Sequence, residues 1–135
     1  MFANRYTAVI DACSLVSVWR RNLLLTLAEA EFFRVRWSDT ILQETQFALQ
    51  KIHEERGSDG PEGRAERAIA SMRRAFPEAS VEDYEGLICA CERMPDANDR
   101  HVVAAAIRTQ AQAVVTENLR DFPEAVLIGF GLEAR

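Results

Sequence analysis

Residues 7–11 read Thr-Ala-Val-Ile-Asp, and this short run decides the fold. Four β-prone, mainly apolar residues without alternation suit a strand covered on both faces, as in the middle of a parallel sheet. An aspartate closes the run. In open α/β sheets the chemistry lies beyond the carboxyl ends of the strands. The segment therefore predicts both a buried first strand and a place to look for a site.

Outward from this strand the chain alternates. Leu15 to Ala30, rich in Leu and Ala, predicts a helix, and Phe33 to Trp37 (FRVRW) a strand. Ser38 and Asp39 offer a cap for an amphipathic helix over Ile41 to Glu55. Gly57-Ser-Asp-Gly-Pro61 is the strongest break, followed by a charged helix from Glu62 to Phe76 that Pro77 stops. A short strand is expected at Ala79 to Val81 and a helix at Tyr84 to Arg93. Pro95 and Asp96 open a helix running to about Gln112. Ala113 to Thr116 and Val126 to Phe130 complete the set as strands. The pattern predicts a three-layer α/β/α sandwich around a central, mainly parallel sheet of four or five strands.

Bulk properties narrow the chemistry. With 135 residues, 48% of them hydrophobic, the chain fits one compact domain with a normal core. A net charge of -5 argues against gripping nucleic acid by bulk positive charge, while permitting local basic patches. Lys51 is the sole lysine among sixteen basic residues, which disfavours Schiff-base and Walker-type mechanisms. Cys13, Cys89 and Cys91 make an odd count, and no charged-then-apolar leader precedes them; free thiols in a reducing compartment are expected. Cys89 and Cys91 are expected to be buried small apolar residues. No apolar run approaches a membrane span, so the expectation is a soluble, cytoplasmic protein with no membrane partner.

The candidate site residues are carboxylates. Asp11 follows the first strand, as a metal ligand or a solvated cap. Glu44 lies at the margin of the apolar stripe Ile41, Thr45, Ala48 and Ile52, as a functional acid or a helix-edge residue with its head in water. Asp99 shares a helical face with Val102, Val103 and Ala106; a carboxylate there wants a partner or a metal, or is held by the helix dipole. Asp96 is well placed as the N-cap itself. Asp121 sits in the loop Asn118-Leu-Arg-Asp-Phe-Pro123, where Asx residues are ordinary turn formers.

Other chemistries fall away. An aspartyl-nucleophile phosphatase wants a second Asp where Cys13 stands, and no lysine late in the chain serves a phospho-receiver. No G-x-S-x-G elbow exists, and His53 and His101 are poorly placed for a two-histidine ribonuclease. What remains is a set of acids without lysine, histidine or cysteine support. Hard oxygen donors of this kind suit Mg²⁺ or Mn²⁺, which can clamp a phosphodiester and activate water. Their mutual repulsion should raise the pKa of some members until a cation neutralises them.

Four blocks, VIDACSLV, WSDTILQET, PDANDRHVVAAAI and VVTENLRDFP, occur in this order. Together they resemble the signature blocks of the PIN-domain family, and most of all its VapC-like branch, the ribonuclease toxins of bacterial toxin–antitoxin pairs. The resemblance covers nearly the whole chain and implies that residues 1–135 form a single PIN domain. Members of this branch often continue past the position matching Arg135, which leaves room for a C-terminal extension. The resemblance also implies that Asp11, Glu44, Asp99 and Asp121 bind Mg²⁺ or Mn²⁺, with Asp96 as an additional acidic position. It assigns a supporting role to Thr116 and Asn118. Glu117 puts another carboxylate inside the last block, where the resemblance implies no role, and is expected to face solvent.

On this resemblance the expected activity is hydrolysis of RNA by metal-activated water, leaving a 5′-phosphate and a 3′-hydroxyl. A cognate antitoxin protein and homodimerisation are likewise implied. Arg64, Arg67, Arg73, Arg74, Arg100 and Arg120 are candidate RNA contacts, against the plainer reading of a solvated helix paired through Glu62 and Glu66. A non-catalytic PIN-fold binding or scaffold protein that retains a metal site is the alternative, and cleavage of DNA by the same metals a third.

Overall fold

The computed structural model describes residues 6–135. Its centre is a five-stranded sheet in which every neighbouring pair runs parallel. β1 (Thr7–Ile10) lies in the middle, buried along its whole length, as its unbroken apolar run requires. β2 (Arg34–Ser38) and then β3 (Ser80–Val81) extend the sheet on one side. β4 (Ala113–Val115) and β5 (Glu133–Ala134) extend it on the other. In β2, Val35 and Trp37 turn inward, and Trp37 packs edge-on against Phe76. Between them Arg36 donates to the carbonyls of Ala79 and Ser80, tying the chain into β3.

Among the described residues six α-helices connect the strands: α1 (Ala12–Val16), α2 (Val18–Glu29), α3 (Asp39–Glu55), α4 (Pro61–Ala75), α5 (Arg100–Arg108) and α6 (Glu124–Leu127). Strand order advances one way from β1 to β3 and the other way from β3 to β5. Right-handed crossovers then place the two groups of helices on opposite faces, which yields the expected α/β architecture. Ser38 caps α3 by accepting from Ile41 N at 3.2 Å. α5 carries five consecutive buried residues, Val102 to Ala106, and its alanines let it lie close on the sheet.

Several local expectations are corrected. The helix expected from Leu15 to Ala30 is two helices, broken at Ser17, whose hydroxyl caps the second by accepting from Arg20 N. Tyr84 to Arg93 is not α-helical but a 3₁₀ segment over Glu85–Cys91, where Gly86 and two cysteines give weak helix propensity. The helix expected from Asp96 begins as a 3₁₀ turn, Ala97–Asp99, and ends at Arg108 because Gln110 takes a left-handed backbone (φ 55°).

Val126 to Phe130 is no strand. Pro123 caps α6, and the chain stays helical to Phe130 before Gly131 (φ 71°) turns it into β5. Cys89 is exposed while Cys91 is buried, so the shared core role holds for one of the pair. Among the described residues no helix is long and apolar enough to cross a membrane.

Candidate metal centre

Strand order reverses at β1, which has β2 on one side and β4 on the other. The crevice beyond the carboxyl ends of β1 and β4 is the topological switch point of the sheet. Asp11 stands there, its N–H bound to Val115 O at 2.9 Å. Its side chain is nearly buried and firmly held. Ala12 N donates to Oδ1 at 2.8 Å, while Thr116 Oγ1 at 3.0 Å and Cys13 Sγ at 3.4 Å reach Oδ2. Asn118 contributes through its backbone, donating N–H to Thr116 Oγ1 at 3.0 Å.

A second aspartate comes from the start of α5. Asp96 does the capping, accepting from Asn98 N at 2.9 Å. Asp99 sits at the N-cap position of α5 without a side-chain cap bond. Its carboxyl is half-buried and pushed up to about 6, by burial first and then by the negative charges of Asp11, Asp96 and Asp121. His101 pulls in the opposite direction. Fields of this kind reach only a short way. Four aspartates from three separated parts of the chain thus act on one region. Asp121 arrives through the 3₁₀ turn Leu119–Asp121.

Glu44 joins by way of a histidine. His101 Nε2 lies 3.3 Å from Glu44 Oε2, linking α3 to the opening turn of α5 two residues beyond Asp99. The imidazole is mostly buried and its Nδ1 has no partner. The expectation of acids without histidine or cysteine support is therefore corrected: His101 touches Glu44, and Cys13 touches Asp11. The sequence held a trace of both, since each lies two residues after an acid of the set, but it could not say that the chain brings them to those carboxylates.

The arginines separate into distinct settings. Arg73 is paired with Asp39 at 2.9 Å, Arg74 reaches Ser71 Oγ at 3.5 Å, and Arg100 donates to Glu92 O at 3.2 Å. Arg120 is exposed in the turn beside Asp121. Arg64 and Arg67 line a groove that also includes Cys13. Glu117 is exposed, as expected, and forms a surface ion pair with Arg20.

Among the described residues no three His, Cys, Asp or Glu side chains close into a ready-made metal cage. Mg²⁺ sites commonly keep several waters and use one or two carboxylates directly, so an open set of hard donors fits such an ion. Asp99 adds a second indication: burial and the three other aspartates raise its carboxyl, and His101 offsets this only in part.

A family model of the PIN domain matches residues 7–120. The chain belongs to the PIN-domain family. This PIN domain is 41% identical over 67 residues to a protein described as putative ribonuclease VapC50 of Mycobacterium tuberculosis. The match takes in 50% of the chain and 38% of that relative, so it spans well under half of the relative's length. Among solved structures the PIN domain resembles a chain of the VapBC2 crystal structure from Rickettsia felis, bound to a DNA fragment from their promoter. The TM-score is 0.62 at 16% identity, covering 96% of this chain and 97% of that one. At such identity the likeness speaks to the fold.

Proposed function

We propose that this PIN domain is a divalent-metal-dependent endoribonuclease, the toxin component of a type II toxin–antitoxin pair. The observation that carries the reading is the shared field at the switch point, where Asp11, Asp96 and Asp121 all act on Asp99. Asp11, Glu44, Asp99 and Asp121 are the residues that would hold Mg²⁺ or Mn²⁺, with Asp96 mainly a cap. When bound, such an ion neutralises phosphate charge and lowers the pKa of water.

The chain's own residues have separable tasks in this reading. Thr116, Cys13 and Ala12 N fix the Asp11 carboxylate, so little reorganisation is needed when a cation arrives. Burial raises the Cys13 thiol, with Asp11 adding to the effect, which keeps the group a neutral donor to that carboxylate. His101 restrains Glu44 from across the crevice. Thr116 and Asn118 act as support, the latter through its backbone.

The partners in this reading are an RNA substrate and an antitoxin protein, with a homodimer as the working assembly and the cytoplasm as the site of action. The antitoxin assignment draws on the resemblance of the four sequence blocks to the VapC-like branch. Single-stranded RNA incubated with the protein in Mn²⁺ should be cut, and EDTA or Asp11→Asn should abolish cutting. Metal binding without hydrolysis of any RNA would favour the scaffold alternative instead.

A further inference from the structure

Cys13 belongs to two places at once. Its sulfur lies 3.4 Å from the Asp11 carboxylate, and the residue also lines a groove of about 770 Å³ between the α1–α2 and α3–α4 pairs. Four arginines border this groove: Arg21, Arg56, Arg64 and Arg67. The acid on the lining, Glu117, is paired with Arg20. On a chain of net charge -5 this is a local reversal of sign.

The rest of the lining is not built for a simple anion. Leu49 and Ile52 supply an apolar part of the wall, and Trp19 stands on it 88% exposed. An indole face in water beside guanidinium groups is the combination that holds an unpaired polynucleotide: bases stack on the aromatic ring, and arginine forks take the phosphates. A duplex keeps its base faces stacked inside and gains little from such a wall.

We infer that this groove is the track for a single RNA strand, with a base on Trp19 and phosphates on Arg56, Arg64 and Arg67, leading past Cys13 to Asp11. The choice of RNA rests on the nuclease reading above. The strand delivers its backbone to the acids from the side where Cys13 and Glu117 meet, their contact being Glu117 N to Cys13 Sγ at 3.4 Å. Charge favours a polyanion here over a protein segment, although the exposed Val18 and Leu23 continue the apolar surface along α2.

The test is binding of a short fluorescein-labelled oligouridine in EDTA, so that binding is read without cleavage. Trp37 is buried and Trp19 exposed, so quenching of the accessible indole reports the groove. Arg64→Glu/Arg67→Glu should weaken binding by about tenfold or more and reduce the salt slope by roughly 1.4, at ~0.7 per lost phosphate contact. Trp19→Ala should weaken it by about tenfold and remove the accessible quench. Arg93→Glu/Arg108→Glu, the same charge change off the groove at two exposed positions, should bind like the wild type, and duplex RNA should bind weakly.

Groove variants with wild-type affinity, a control pair that loses as much as they do, or equal binding of duplex would overturn the inference. So would loss of a protein–protein contact in Trp19→Ala with RNA binding unchanged. Cleavage in Mn²⁺, run in parallel, separates the two readings. A wild type that cuts RNA while the groove variants bind normally defeats the groove alone. One that binds through the groove and never cuts defeats the nuclease alone.

Discussion

Thr116 donates its hydroxyl to Asp11 Oδ2 at 3.0 Å across 105 positions of sequence. The same oxygen accepts from Asn118 N, which leaves its own hydrogen free for the carboxylate. Both side chains are buried, so the bond is poorly replaced by water. Thr116→Val keeps the shape and removes the donor. Metal-dependent cleavage should fall by roughly 10–100-fold, the range for losing a partner of a metal ligand. Thermal melting in parallel should show the fold retained; an unaltered cleavage rate would remove Thr116 from the site's support.

Asp99 sets a pH dependence. Its carboxyl is raised from 3.8 to about 6, so the folded protein favours the protonated form. This group therefore destabilises the fold as pH rises from about 4 through 6, and the penalty vanishes in acid. A cation must displace that proton. Mn²⁺ affinity, measured by calorimetry, should weaken about tenfold per pH unit below 6 through this one group, and level off above it. A flat profile between pH 5 and 7 would contradict the assignment.

Burial of Asp99, together with repulsion from Asp11, Asp96 and Asp121, sets stability and function against each other. Asp99→Asn removes the charge without changing size. In metal-free buffer at pH 8 its Tm should rise by a few degrees, the shift expected for about 1 kcal/mol after discounting for solvent screening. Cleavage should be lost. A fall in Tm would mean that Asp99 makes a structural contact instead.

Glu44 and His101 should be energetically coupled. Glu44→Gln and His101→Ala are each expected to weaken Mn²⁺ binding, and the double variant to be less damaged than the sum. A coupling of about 1 kcal/mol in that double-mutant cycle is the expected size for a contact pair. Strict additivity would show that the bond does no positioning.

The fold was legible where local pattern and burial coincide. The first strand and the capped helix after Ser38 are short-range signals, and the structure keeps both. The segment Val126 to Phe130 misled because apolar β-prone residues look alike in a strand and a packed turn; Pro123 before it and Gly131 after it decided for helix. For the acids, sequence could name candidates but not neighbours. That Asp99 is free of capping because Asp96 takes that task, and that Thr116 spends its hydroxyl on Asp11, depend on backbone geometry. His101 and Cys13 were passed over for the same reason. Trp19 gave no sign at all, since an indole inside a Leu-rich helix ordinarily packs inward.

The most direct measurement is a set of Mn²⁺ titrations on the wild type and on Asp11→Asn, Glu44→Gln, Asp99→Asn and Asp121→Asn, read by calorimetry at pH 8. One cation shared at the crevice requires that all four variants weaken the same binding event while each still melts cooperatively. Wild-type affinity in any of Asp11→Asn, Glu44→Gln, Asp99→Asn or Asp121→Asn, or no Mn²⁺ binding to the wild type, would contradict a common metal centre.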